Sequence, residues 1–247
     1  MNQVESQVEE KQIDSQVVNQ PKDHSEHARA HLDVELTEHT YSIGEEIANA
    51  MSHAIGALLS VAAMTMMIMS SLEPFNGWKL ASGIVYGFSL VVLFTTSTLY
   101  HSFQPENLKK TFQTLDHCAI YFLIAGTYTP FVLISLNGLW GWSLFGVIWG
   151  LAIFGVTFKV KFKQRFPRVS LITYILMGWV IVVAAPEMLD KVAPGALWLL
   201  LAGGLSYTLG TIFYAADRKI PYNHAIWHLF VLGGAVCHFL GIYLYVY

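Results

Sequence analysis

Residues 80–103 read LASGIVYGFSLVVLFTTSTLYHSF and contain no Lys, Arg, Asp or Glu. A helix of about 20 such residues spans a hydrocarbon core of about 30 Å. Six further uncharged apolar runs flank this one, at 47–70, 118–136, 138–158, 169–186, 194–216 and 224–247. Each is long enough to cross a bilayer. Hydrocarbon offers no partner for backbone N–H and C=O groups, so helices are the expected form. The sequence therefore predicts an all-α polytopic membrane protein, a bundle of seven transmembrane helices over 41–247.

Residues 1–40 differ. They hold nine acids against Lys11, Lys22 and Arg29 and have almost no aromatic residue. This composition reads as a mobile acidic tail. It lacks the basic start and apolar core of a signal peptide. His24, His27, His31 and His39 fall in it and read as part of a solvated segment. Cys118 and Cys237 each lie inside an apolar run, where packing is the expected role and a disulfide is not.

The loops set an orientation. Lys109, Lys110, Lys159, Lys161, Lys163, Arg165, Arg168, Arg218 and Lys219 lie in alternate connections, against only Lys79 and Lys191 in the others. Basic residues are retained on the cytoplasmic side. The N-terminus is expected in the cytoplasm and the C-terminus outside. Gly83 with Gly87 and Gly146 with Gly150 have the spacing that lets helices approach closely.

With that orientation, several polar residues come to one depth on the cytoplasmic side. His224 and His228 open the last run at i and i+4, on one helix face, a spacing that suits two imidazoles on one Zn²⁺. His101 closes the second run, with Ser97 one turn earlier. Asp116 opens the third run, beside His117, which reads as an amphipathic residue near the headgroups or a supporting residue. Glu46, Asn49 and His53 form one stripe on the first helix and read as caps or supporting hydrogen-bonding groups. His238 lies deeper, toward the outer half, and is set aside. Ionisable groups in membrane spans are costly and usually face the bundle interior. Their convergence points to a metal site.

Four pieces carry a resemblance: EEIANAMSH at 45–53, STLYHSF at 97–103, LDHCAIYFLIAGTYTP at 115–130 and NHAIWH at 223–228. They resemble the hemolysin III family, the bacterial branch of the progestin and adiponectin Q receptor family. The wider group includes alkaline ceramidases and is marked by Ser and His on the second helix, Asp on the third and HxxxH on the seventh. The resemblance implies Zn²⁺ held by His101, His224 and His228, with Asp116 near the metal-bound water; Asp116 and Ser97 are then the expected catalytic residues. It implies a multi-pass protein of the bacterial inner (plasma) membrane, with the metal toward the cytoplasmic leaflet. The expected partners are the bilayer and a membrane lipid as substrate or ligand; no nucleic acid is expected. The expected activity is zinc-dependent hydrolysis of a lipid amide or ester. Two readings stand beside it: a cytolytic, pore-forming protein with a zinc clamp, and a lipid sensor that binds without turnover.

Overall fold

The computed structural model describes residues 41–216 and 220–247. The acidic segment 1–40 and the loop charges Arg218 and Lys219 lie outside the described residues. Helices make up the rest: α1 (Ile43–Leu72), α2 (Gly77–Ser102), α3 (Glu106–Pro130), α4 (Gly138–Phe162), α5 (Pro167–Gly178), α6 (Ala185–Lys191), α7 (Pro194–Ala215) and α8 (Asn223–Tyr245). A π-helical turn, Phe131–Leu136, extends α3, and a 3₁₀ segment, Val180–Ala184, joins α5 to α6. Counted as membrane spans these are seven, with α5 to α6 forming the fifth.

Local chemistry sets the helix starts. Ser42 and Glu45 form a capping box at α1: Glu45 N–H donates to Ser42 Oγ at 3.3 Å, and Ser42 N–H donates to Glu45 Oε2 at 2.9 Å. Two of the four orphan donors of that end are thereby satisfied. Asn76 Oδ1 accepts from Trp78 and Lys79 at the start of α2. Pro167 and Pro194 occupy first-turn positions, where a missing N–H costs nothing.

The helices pack in sequence. α1 lies along α2, α2 along α3, α3 against α4, and α7 along α8, which returns to α1 and closes the ring. Met67, Tyr86, Phe94, Tyr121, Phe131 and Ile148 are among its fully buried side chains. Leu58, Phe88, Phe154, Leu176, Val183 and Leu209 point outward and are exposed. Such a surface would aggregate in water and is what a hydrocarbon surround requires.

The structure corrects four expectations. The third span begins at Glu106, well before residue 118, because the amphipathic turns carrying Lys109, Lys110 and Gln113 continue the helix past the apolar run. Asp116 therefore sits within α3 and does not open it. Lys159, counted above as a loop charge, is fully buried in α4, where its ammonium donates to Gln164 Oε1 at 2.8 Å. Of the two glycine pairs, only the first packs inside the bundle: a Cβ on Gly87 would fall 2.5 Å from Met64 Cβ, whereas Gly146 and Gly150 meet nothing within 4 Å.

The fourth correction concerns 169–186, which reads as one uninterrupted run but is broken between Gly178 and Ala185. Pro186 has no N–H to give, and its ring excludes a continuous α-helical approach. The opened backbone is satisfied by Tyr128 of α3. Its hydroxyl donates to the Gly178 carbonyl at 2.8 Å and accepts from Ile181 N–H at 2.9 Å. A break at membrane depth is tolerated only with such a partner.

Candidate metal centre

The site is assembled at the end of the bundle where α1 and α8 begin and α2 finishes. The turn before α8 is pinned to α1. Tyr222 N–H donates to Glu45 Oε1 at 3.0 Å, and the Tyr222 hydroxyl lies against Gly44, where a Cβ would meet it at 2.8 Å. Tyr222 takes a left-handed backbone conformation, φ 60°, and Asn223 donates to the Ala216 carbonyl at 2.8 Å. These contacts fix where α8 starts, and so where His224 and His228 stand relative to α1.

His101, His224 and His228 are all buried, and one nitrogen of each lies within 4.8 Å of the others. Their ring centroids are 4.6 to 5.1 Å apart. Each ring is held through Nδ1. His101 Nδ1 donates to Glu46 Oε2 at 2.7 Å, and the side chain of Asn49 lies on the same edge at 3.5 Å. Glu46 Oε1 also accepts from the Lys109 ammonium, so a carboxylate shared between α2 and α3 backs the His101 ring. His228 Nδ1 donates to the Asn49 carbonyl at 3.1 Å, with the Ser52 hydroxyl at 3.2 Å. His224 Nδ1 meets the Tyr41 hydroxyl at 3.1 Å.

A carboxylate and a backbone carbonyl only accept, so Nδ1 of His101 and of His228 carries the proton. Nε2 of each neutral ring is then a lone-pair donor for a metal. His101 Nε2 is buried without a hydrogen-bond partner among the described residues. Such an orphaned lone pair beside two other histidines is the arrangement a cation would satisfy. The donor set fits a metal ion held by three imidazoles.

The remaining residues singled out in the sequence divide around this group. His53 lies flat on His228, 3.6 Å between centroids at 12°, and edge-on to Phe94. Asp116 stays outside the three-histidine group but lines the same cavity, its carboxylate beside Ser97. The Ser97 hydroxyl is buried with no partner of hydrogen-bonding geometry among the described residues. His117 is buried within the bundle, donates through Nδ1 to the Gln113 carbonyl at 2.6 Å, and lines the cavity. Sequence reasoning missed Tyr41, Ser52 and Lys109 as supports. Each reaches its partner across many residues of chain, and no local pattern marks them.

The cavity has a volume of about 500 Å³ and runs from the histidine cluster into the bundle. Ser97, Asp116, His117, His224 and His228 lie on it, and much of the rest of its wall is apolar, with Leu93, Ile124, Leu197, Leu201 and Val231. It reaches the broken fifth span at Gly178, Ile181 and Met188.

A family profile described as Haemolysin-III related matches residues 41–239. Hemolysin-3 of Bacillus cereus is 46% identical over 211 residues, which cover 85% of this chain and 96% of that protein. The Hemolysin-3 homolog of Bacillus subtilis (strain 168) is 42% identical over 205 residues, 83% of this chain and 96% of its own. The monocyte to macrophage differentiation factor of Homo sapiens is 31% identical over 210 residues, 82% of this chain and 85% of its own.

Proposed function

The chain belongs to the haemolysin-III related family, and from that premise we propose that it is a zinc-dependent hydrolase of a lipid amide or ester in a bacterial plasma membrane. The observation that carries this reading is the conjunction of three histidines able to hold a metal ion with a largely apolar cavity that reaches two of them, His224 and His228. Three imidazoles suit Zn²⁺ and leave one position open, as catalytic sites do. Zinc there would supply Lewis acidity and a water acidified toward about pKa 7.

The protein's own residues would do the rest. Glu46, the Asn49 carbonyl and Tyr41 hold the three rings in the tautomer that presents a lone pair. Asp116, at the cavity wall, orients the attacking water and takes its proton. The Ser97 hydroxyl, beside Asp116 on the cavity wall, donates to the oxygen on which charge develops. The apolar walls hold the acyl chain and exclude bulk water from the scissile bond. The asymmetry of loop charges supports placing this end of the bundle at the cytoplasmic leaflet.

The relatives named Hemolysin-3 favour a second reading, a lytic protein. A wide pore needs a polar stripe through the membrane, whereas the described spans are apolar through their middles. The test is metal analysis of the purified protein, followed by mass spectrometry of products released from lipid amides and esters, with His228→Ala as control. Release of fatty acid by the wild type and not by the control is expected. Zinc with no product from any lipid would turn the assignment to a binding-only sensor.

A further inference from the structure

The connection between α4 and α5 has no part in the chemistry above, and its charge is unbalanced. Lys161, Lys163, Arg165 and Arg168 are all exposed there. From His117 to Pro186 the chain has no Asp or Glu. Acids at the same end of the bundle are already engaged. Glu46 receives His101 and Lys109, Glu106 receives Lys110, Glu45 caps α1, and Asp116 lines the cavity. None of the four cations forms an ion pair among the described residues. Helix stability does not account for them all. Lys161 ends α4, where the helix dipole favours a cation, but Arg168 stands in the first turn of α5, where the dipole disfavours one.

Several contacts shape this loop. Lys163 N–H donates to the Lys159 carbonyl at 2.7 Å, and Arg165 N–H donates to the Phe162 carbonyl at 3.0 Å. The buried Lys159 ammonium donates to Gln164 Oε1 at 2.8 Å, which ties the middle of the loop to α4. Phe158, Phe162 and Phe166 close a triangle of rings, with centroids 4.8, 5.7 and 6.0 Å apart, and so hold the start of α5 against the end of α4. Beside the cations along the chain, Val160 is 57% exposed and Phe166 38%. The fourth membrane span ends at Phe162 and the fifth begins at Pro167. Cations interleaved with exposed apolar side chains at the ends of two spans match the boundary where headgroup phosphates lie over acyl chains.

We propose that this loop is a binding site for an anionic phospholipid, with the headgroup phosphate among Lys161, Lys163, Arg165 and Arg168 and the acyl chains against the apolar side chains beside them. Charge complementarity argues for that occupant: four cations without acid partners stand at the ends of two membrane spans. Arginine can hold two phosphate oxygens at once, and lysine adds a point charge. The site is separate from the cavity and stands whether or not the cavity holds a substrate.

The test uses the full-length protein in detergent micelles, titrated with phosphatidylglycerol or with phosphatidylcholine of the same acyl chains and followed by native mass spectrometry. The wild type should bind phosphatidylglycerol about 10-fold tighter or more, since each basic residue beside an anionic headgroup contributes about fivefold. Arg165→Gln/Arg168→Gln should lower that affinity about 10- to 30-fold and leave phosphatidylcholine binding unchanged. Lys110→Gln/Lys191→Gln removes two cations already paired with Glu106 and Glu187, and should keep the preference. If the arginine double variant does not fold, Lys163→Gln and Arg165→Gln decide singly, each with a loss of about fivefold. Equal binding of the two lipids by the wild type would overturn the proposal. So would an equal loss in both double variants, which reads net charge and not this loop.

Discussion

Glu46 of α1 and His101 of α2 meet through a 2.7 Å hydrogen bond, and the same carboxylate receives the Lys109 ammonium from α3. Three helices are thus tied to one ring edge. A carboxylate behind a ligating histidine fixes its tautomer and raises its basicity. Glu46→Ala should lower zinc affinity by about 10- to 100-fold, with a smaller loss in Glu46→Gln, whose carbonyl oxygen still accepts. Competition with a chromophoric chelator measures it. Affinity unchanged in Glu46→Ala would remove Glu46 from the support of the site.

About one zinc per chain is expected, since one tetrahedral site needs only three imidazoles and an open position. His101→Ala, His224→Ala and His228→Ala should each lose it, while His238→Leu and changes at His27 or His31 should not. Elemental analysis of the purified variants checks this. Full metal content in all three histidine variants would place the metal elsewhere.

Asp116→Asn separates catalysis from a structural clamp. The amide keeps the shape of the carboxylate and cannot take a proton. Hydrolysis should fall about 100-fold or more, with zinc content and thermal stability close to wild type. A variant that loses zinc or stability in proportion to activity would make Asp116 a supporting residue.

The Tyr128 hydroxyl meets Met177 O, Gly178 O and Ile181 N, groups freed where the fifth span breaks. Tyr128→Phe removes that partner and little else. A loss of about 1–3 kcal/mol is expected for backbone groups left buried and unpaired. Thermal unfolding in detergent reads it. An unchanged midpoint would mean that water or lipid satisfies the break equally well.

A reporter fused after Tyr247 should face outward, and one inserted near Lys163 should face the cytoplasm, given the excess of basic residues in alternate loops. The reverse pattern would move the metal centre to the other leaflet.

The sequence by itself determined the seven spans and the three histidines that the fold brings together. Hydrophobic length is a local property, and an uncharged run such as 80–103 has few structural options in a bilayer. The pairing of His224 with His228 was also legible, because helical periodicity places i and i+4 on one face. Tertiary structure alone decided the rest. The fifth span looked continuous because Pro186 sits near the end of its apolar run, and Tyr128, brought in from α3, supplies partners for backbone groups opened at the break. Lys159 read as a loop charge because charge patterning does not reveal burial beside Gln164. Tyr41 finds His224 at a separation of 183 residues, and Ser52 finds His228 at 176. Such contacts depend on the return of α8 to α1, which closes the ring and brings together side chains that no periodicity in the chain relates.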